Sequence, residues 1–207
     1  MKKVLLITAI CLIVVGVAGV MVVRGIATSS TVAAEENDKI SEKAAKSLQD
    51  KIDAIKKAEN ETERAPKATR IEISEVELES YMLFHLKQDI PAQMDSFDVQ
   101  LEPGTVAAQT QLTFAPDATG NPILDVVVSG THDLFVKGAL KASQGRGKFD
   151  LLEVRVDGIP VPMILIQSLF DKYVKPKYPD ADLKEPFDLP WGIEELILEK
   201  GRTIVVY

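Results

Sequence analysis

Residues 4–23, VLLITAICLIVVGVAGVMVV, are an apolar run in which only Thr8, Gly16 and Gly19 fall outside the hydrophobic set. Twenty helical residues at about 1.5 Å each span roughly 30 Å, the hydrocarbon thickness of a bilayer. The run therefore predicts one transmembrane helix. Lys2 and Lys3 precede it, Arg24 follows it, and the next base is Lys39. The positive-inside bias places the N-terminus in the cytoplasm and the rest of the chain outside. A cleaved signal peptide is the competing reading, and Gly25-Ile26-Ala27 fits a small-x-small cleavage site. The apolar core of a signal peptide usually runs about 7–15 residues, so the uncleaved anchor is preferred. Cys11, the single cysteine, follows Ile10, which does not fit lipoprotein processing. Outside the membrane run there is no thiol, so stability there rests on a packed core and not on disulfides.

The whole chain carries −7, from 24 bases and 31 acids. Beyond residue 24 the balance is 31 acids against 21 bases. An acidic extracytoplasmic part argues against nucleic acid, which selects basic surfaces.

Three regions follow. Residues 1–24 are the anchor with its short cytoplasmic start. Residues 25–66 are a linker and a charged helical stalk. Residues 67–207 are an extracytoplasmic domain long enough for one core. In the stalk, Glu35/Lys39, Glu42/Lys46 and Asp53/Lys57 are acid-before-base pairs at i,i+4. Ala45, Leu48, Ile52 and Ile55 step by three and four, as in a coiled-coil seam. The seam lasts about two heptads where three to four are normally wanted. A spacer helix, or one lying on its own domain, is thus preferred to a weakly self-associating coiled coil.

In the domain, Arg70–Ile73 alternates as a short strand, and Ser74-Glu75-Val76-Glu77 is a capping box opening a helix that ends before Pro91. The period then changes to two. Phe97, Val99 and Leu101 alternate, Pro103-Gly104 turns the chain, and Val106, Ala108, Thr110, Leu112 and Phe114 alternate on the return. A second turn is expected over 115–122 and a strand over 123–129. Leu134 to Leu140 continues as a strand with a bulge suggested by Gly138, and Gln144 to Gly147 turns the chain. Phe149 to Val156 returns with one slip of phase, and residues 158–162 break the sheet. A helix follows over 163–174 with Pro162 at its start. After a proline-rich loop, Ile193–Leu198 and Thr203–Tyr207 close as a hairpin. The expected class is α+β: a curved antiparallel sheet of about six to eight strands with two helices on one face.

The sequence carries no recognisable catalytic constellation. His85 stands near a helix end, and His132 stands beside Asp133. Ser129, His132 and Asp133 are near in sequence, but adjacency is not a triad, and the G-x-S-x-G elbow is missing. HExxH, CxxC and EF-hand patterns are absent, so neither a metal nor a cofactor is expected. Gly145-Arg146-Gly147-Lys148 lies between two strand runs and reads as a hairpin turn, not a phosphate loop. Glu75, Glu77 and Glu79 are spaced by two and read as a solvated face. No enzyme is expected.

The informative excess is apolar. Ile159 to Ile166 is too greasy for a surface loop. It reads either as core under a concave sheet or as the wall of an apolar ligand site. The candidate lining is Val161, Met163, Ile164, Ile166, Leu169 and Phe170, facing Phe97, Leu112 and Phe114.

Val156-Asp157-Gly158-Ile159-Pro160-Val161-Pro162, the apolar helix after it, Leu189-Pro190-Trp191-Gly192-Ile193, and the closing Val205-Val206-Tyr207 resemble the LmeA-type and YpmS-type envelope proteins. So does the Ser74–Leu78 helix start. The resemblance covers roughly residues 70–207, and this chain departs by its charged stalk and its lengthened loop before Leu189. It implies an N-terminally anchored extracytoplasmic protein with a curved sheet, binding phospholipid or maintaining the envelope without a catalytic site. The expectation is a membrane-tethered module, periplasmic or at the cell surface, that binds a lipid or other apolar chain. The alternative is a non-enzymatic assembly protein docking an envelope partner.

Overall fold

A computed structural model describes residues 39–60, 69–87, 92–115, 129–171, 175–176, 182–183 and 185–207. The expected membrane helix, the Glu35/Lys39 pair, the turn over 116–122 and the strand over 123–128 lie outside the described residues. Among the described residues no helix is long and apolar enough to cross a membrane.

Among the described residues, nine strands make one antiparallel sheet, accompanied by three helices. Helix α1 is Glu42–Asn60. Strand β1, Arg70–Ser74, runs directly into helix α2, Glu75–Tyr81, whose last turns widen over Met82–Leu86. The meander β2 (Gln93–Glu102), β3 (Thr105–Phe114), β4 (Gly130–Ser143) and β5 (Arg146–Val156) follows. Then come the short β6 (Ile159–Pro160), helix α3 (Met163–Leu169) and the short β7 (Phe187–Asp188). The hairpin β8 (Glu195–Glu199) and β9 (Arg202–Val206) ends the fold.

Strand β4 joins the two parts of the sheet. Its residues 130–139 pair with β3, and farther along Ala142 pairs with Leu196 of β8. β9 lies beside β8, and β1 beside β9. The expected hairpins and the α+β class are borne out. Among the described residues the sheet has one strand more than the expected range, and the helices are three because α1 packs on the domain. Residues 158–162 do not simply break the sheet: Ile159 and Pro160 pair with Val156 and Arg155 as β6.

The bulge is where the sequence puts it. Lys137 pairs with Glu153 and Gly138 with Leu151, so Leu152 is the extra residue and points outward, 55% exposed. The slip of phase and the lone glycine are two signs of one feature. Phe149 packs across Gly138 so closely that a Cβ there would sit 2.1 Å from the ring.

Two apolar clusters form. The first gathers β2, β3 and β4 with Ile166 and Phe170. The second gathers Leu48 and Ile55 of α1 with Ile73, Trp191, Ile193 and Val205. The short heptad seam is therefore spent on the chain's own domain. Ala45, Leu48 and Ile55 are buried, and Ile52 packs at the margin. Polar contacts fix the docking. Ser47 Oγ donates to Glu77 at 2.6 Å, Lys51 reaches Glu77 and the Glu72 carbonyl, and Tyr81 donates to Gln49 at 3.0 Å. The Lys56 ammonium lies 5.0 Å above the Trp191 ring. Lys46 turns forward to Asp50 at 2.7 Å in place of the expected Glu42.

Glu75, Glu77 and Glu79 are not a solvated face. Glu77 completes the capping box, accepting from the Ser74 amide at 2.9 Å while Ser74 Oγ accepts from the Glu77 amide. Glu75 and Glu79, one turn apart, accept from the Leu101 and Val99 amides of β2. β2 is the last strand of the sheet order. Helix α2 thus covers amides that would otherwise invite pairing with another chain. The β8–β9 turn helps, with the Gly201 amide donating to the Leu101 carbonyl at 3.0 Å.

Candidate functional site

The site grows from a two-residue turn. Asp157 and Gly158 both take positive φ, 52° and 76°, which a tight hairpin of this twist requires and which Asp-Gly supplies. The turn is tied to the start of β4. Asp157 Oδ2 accepts from His132 Nδ1 at 2.7 Å, Oδ1 accepts from the Asp133 amide at 2.9 Å, and the Asp157 amide donates to the Asp133 carbonyl at 2.8 Å. The His132 hydrogen bond, and after it the Asp133 amide, hold the Asp157 carboxyl below the usual carboxylate range. The histidine's carboxylate partner is thus Asp157, not the sequence neighbour Asp133.

From this turn β6 runs along the end of β5, and the Val161 amide donates to the Val154 carbonyl at 2.9 Å. Pro160 and Pro162 lack amide hydrogens, as suits a strand edge and a helix start. Pro162 caps α3, and its carbonyl accepts from Leu165 and Ile166.

Helix α3 is apolar on two sides. Ile166 and Phe170, one turn apart, are buried in the first cluster with Phe97, Leu112 and Phe114. Val161 is half-buried against the same cluster. These six residues of the expected lining come together. Met163 and Ile164 do not join them. They are exposed, at 43% and 80%, as are Leu165 at 50% and Ile159 at 69%. The Leu169 side chain lies outside the description.

Sequence reasoning found the apolar excess here but not which part points out. Ile159, Pro160, Pro162 and Leu165 were missing from the expected lining. The signal was present: Asp-Gly followed by Ile-Pro marks a short edge strand, and an edge strand leaves one side uncovered.

The outer face of the sheet carries an open depression of about 220 Å³ lined by Gln109, Asp133, Leu134, Phe135, Arg155 and Gly158. The Arg155 guanidinium stacks 4.3 Å from the Phe135 ring, and Arg155 Nε lies 3.2 Å from Glu153. Among the described residues no group of three or more His, Cys, Asp or Glu side chains is placed to hold a metal ion. The glycines near 145 form the β4–β5 turn, with Arg146 near Asp188 at 3.7 Å and Lys148 on Asp150 at 3.0 Å. Comparison with protein-family models, curated proteins and solved structures gives no match for this chain.

Proposed function

We propose that this chain is a membrane-tethered extracytoplasmic module that binds a lipid or other apolar chain, of the kind represented by the LmeA-type and YpmS-type envelope proteins. Residues 4–23 supply a single-pass anchor with a cytoplasmic N-terminus. The domain is held outside, periplasmic or at the cell surface, with a curved sheet presenting its apolar end. The role is envelope maintenance by holding apolar chains, not by transforming them.

One observation carries this reading. Between Asp157 and Asp171 the chain has no charged residue, and much of that apolar stretch is exposed while Ile166 and Phe170 continue into the core. An apolar surface continuous with a core suits a ligand that enters from outside and packs inward. The domain, 22 acids against 14 bases from residue 67 onward, is unsuited to electrostatic capture of anionic headgroups. The hold is therefore on hydrocarbon.

The test is amide hydrogen exchange of the full chain in amphipol, with and without a short-chain phosphatidylcholine. The lipid is expected to slow exchange in residues 93–115 and 159–170. Unchanged exchange throughout the domain would sink the reading. The competing role, docking an envelope protein, predicts a single specific crosslinked protein in cells and no lipid-induced protection. Self-association through the α1 seam would first require Leu48 and Ile55 to leave their cluster, so that form of docking is the less favoured.

A further inference from the structure

We infer that residues 159–165 are an insertion edge that sinks into the interfacial layer of the bilayer carrying the anchor, with acyl chains as the occupant of this surface. The inference rests on the lipid-binding reading above and names how the domain meets its ligand.

Four observations support it. The first is exposure: Ile164 is 80% exposed, Ile159 69%, Leu165 50% and Met163 43%, all within seven residues of chain. Large exposed apolar side chains concentrated in one short segment mark a surface that something covers.

The second is backbone chemistry. Hydrocarbon tolerates few unpaired amides. Here Pro160 and Pro162 have none, the Val161 amide is bonded to Val154, and Ile159 pairs with Val156 across the turn. Shallow insertion leaves the first-turn amides of α3 at the level of interfacial water.

The third is rigidity. The Asp157 carboxylate, bonded to His132 and to the Asp133 amide, ties the turn to β4. The buried Ile166 and Phe170 fix the other end. The edge is therefore presented without an ordering cost on contact.

The fourth is proximity. The apolar run ends at residue 23 and the described chain begins at residue 39. The fifteen residues between can span at most about 50 Å even when extended. A bilayer within that reach is an apolar phase at high effective concentration. Because the edge carries no charge and the domain is acidic, its insertion depends on neither anionic lipid nor low salt.

Depth-dependent quenching tests this in the full chain. Cys11→Ser removes the single thiol. A cysteine then replaces Ile164, carries a nitrobenzoxadiazole probe, and the protein is reconstituted into phosphatidylcholine vesicles. Ile159→Cys serves as a second site and Glu102→Cys, exposed at the end of β2, as the control. The probe at 164 and at 159 should emit to the blue of the control. Acyl-chain doxyl lipid should quench it several-fold more strongly, with no need for low salt or phosphatidylglycerol. Water-like emission with quenching equal to the control would overturn the inference. So would blue-shifted emission without lipid quenching, which places a protein surface, such as a second copy, over the patch. Quenching at 164 without lipid-induced protection of residues 93–115 would keep the insertion edge and remove the lipid-holding role. Protection without quenching would do the reverse.

Discussion

Glu79 and Glu77 lie two residues apart on α2 and behave oppositely. Burial pushes the Glu79 carboxyl above its ordinary range, and the Asp98 and Glu75 charges add to this against the Val99 amide. Burial also acts on Glu77. There, hydrogen bonds from Lys51, Ser47 and the Ser74 amide, with the Lys51 charge, outweigh it and hold the carboxyl low. The signs follow from linkage. With its folded pKa raised, Glu79 contributes stability that is fully present below its unfolded value and lost as pH rises through the folded one. Glu77 contributes stability present above its unfolded value and lost as pH falls through its depressed one. In urea titrations across about pH 3 to 7, Glu79→Gln should remove a decline toward neutral pH, and Glu77→Gln should flatten the acid limb. Gly138 belongs to the same scale. Gly138→Ala drives a methyl into the Phe149 ring and should lower stability by about 1–3 kcal/mol in urea, with Gly104→Ala, where no neighbour would be met, as the strain-only control. The bulge was legible because it interrupts a period of two locally. The roles of Glu79 and Glu75 were not, because their amide partners lie 20 and 26 residues away on another element.

At the scale of elements, α1 is the part whose role changes. Its charged surface and two-heptad seam read equally as a spacer or as a docked helix. A seam specifies that one face is apolar, not which surface covers it. The covering surface is built from Ile73, Trp191, Ile193 and Val205, segments separated in sequence by more than a hundred residues. No local pattern could reveal that. The capping box, by contrast, was readable in full, since all its partners lie within four residues. Docking makes a direct prediction. Leu48→Ala should lower stability by about 2–5 kcal/mol and speed amide exchange in α1 and at Trp191. For a solvated spacer the same change would leave the urea midpoint essentially unmoved.

For the whole molecule, the order of regions along the chain gives the account its shape. In the function proposed above, an anchor brings the domain to a bilayer, the acidic domain repels anionic headgroups, and an uncharged apolar edge remains as the means of contact. The meander and its closing hairpin were legible from alternation and turn chemistry. The candidate site was legible only as composition, an excess of Ile, Val, Met and Leu after Gly158. Which of these residues turn inward depends on how β6 pairs with β5 and sets the rotation of α3. That pairing fixes Ile166 inside and Ile164 outside, two positions apart on one short helix. The central claim is that this edge touches hydrocarbon. The most direct measurement is photolabelling of the full chain in vesicles whose phosphatidylcholine carries an acyl-chain diazirine, with adducts mapped by mass spectrometry. The account predicts adducts in residues 157–171 as well as in the anchor, and their sharp loss from 157–171 in Ile164→Asp. Adducts confined to residues 1–34, with none in the domain of the unsubstituted chain, would contradict it.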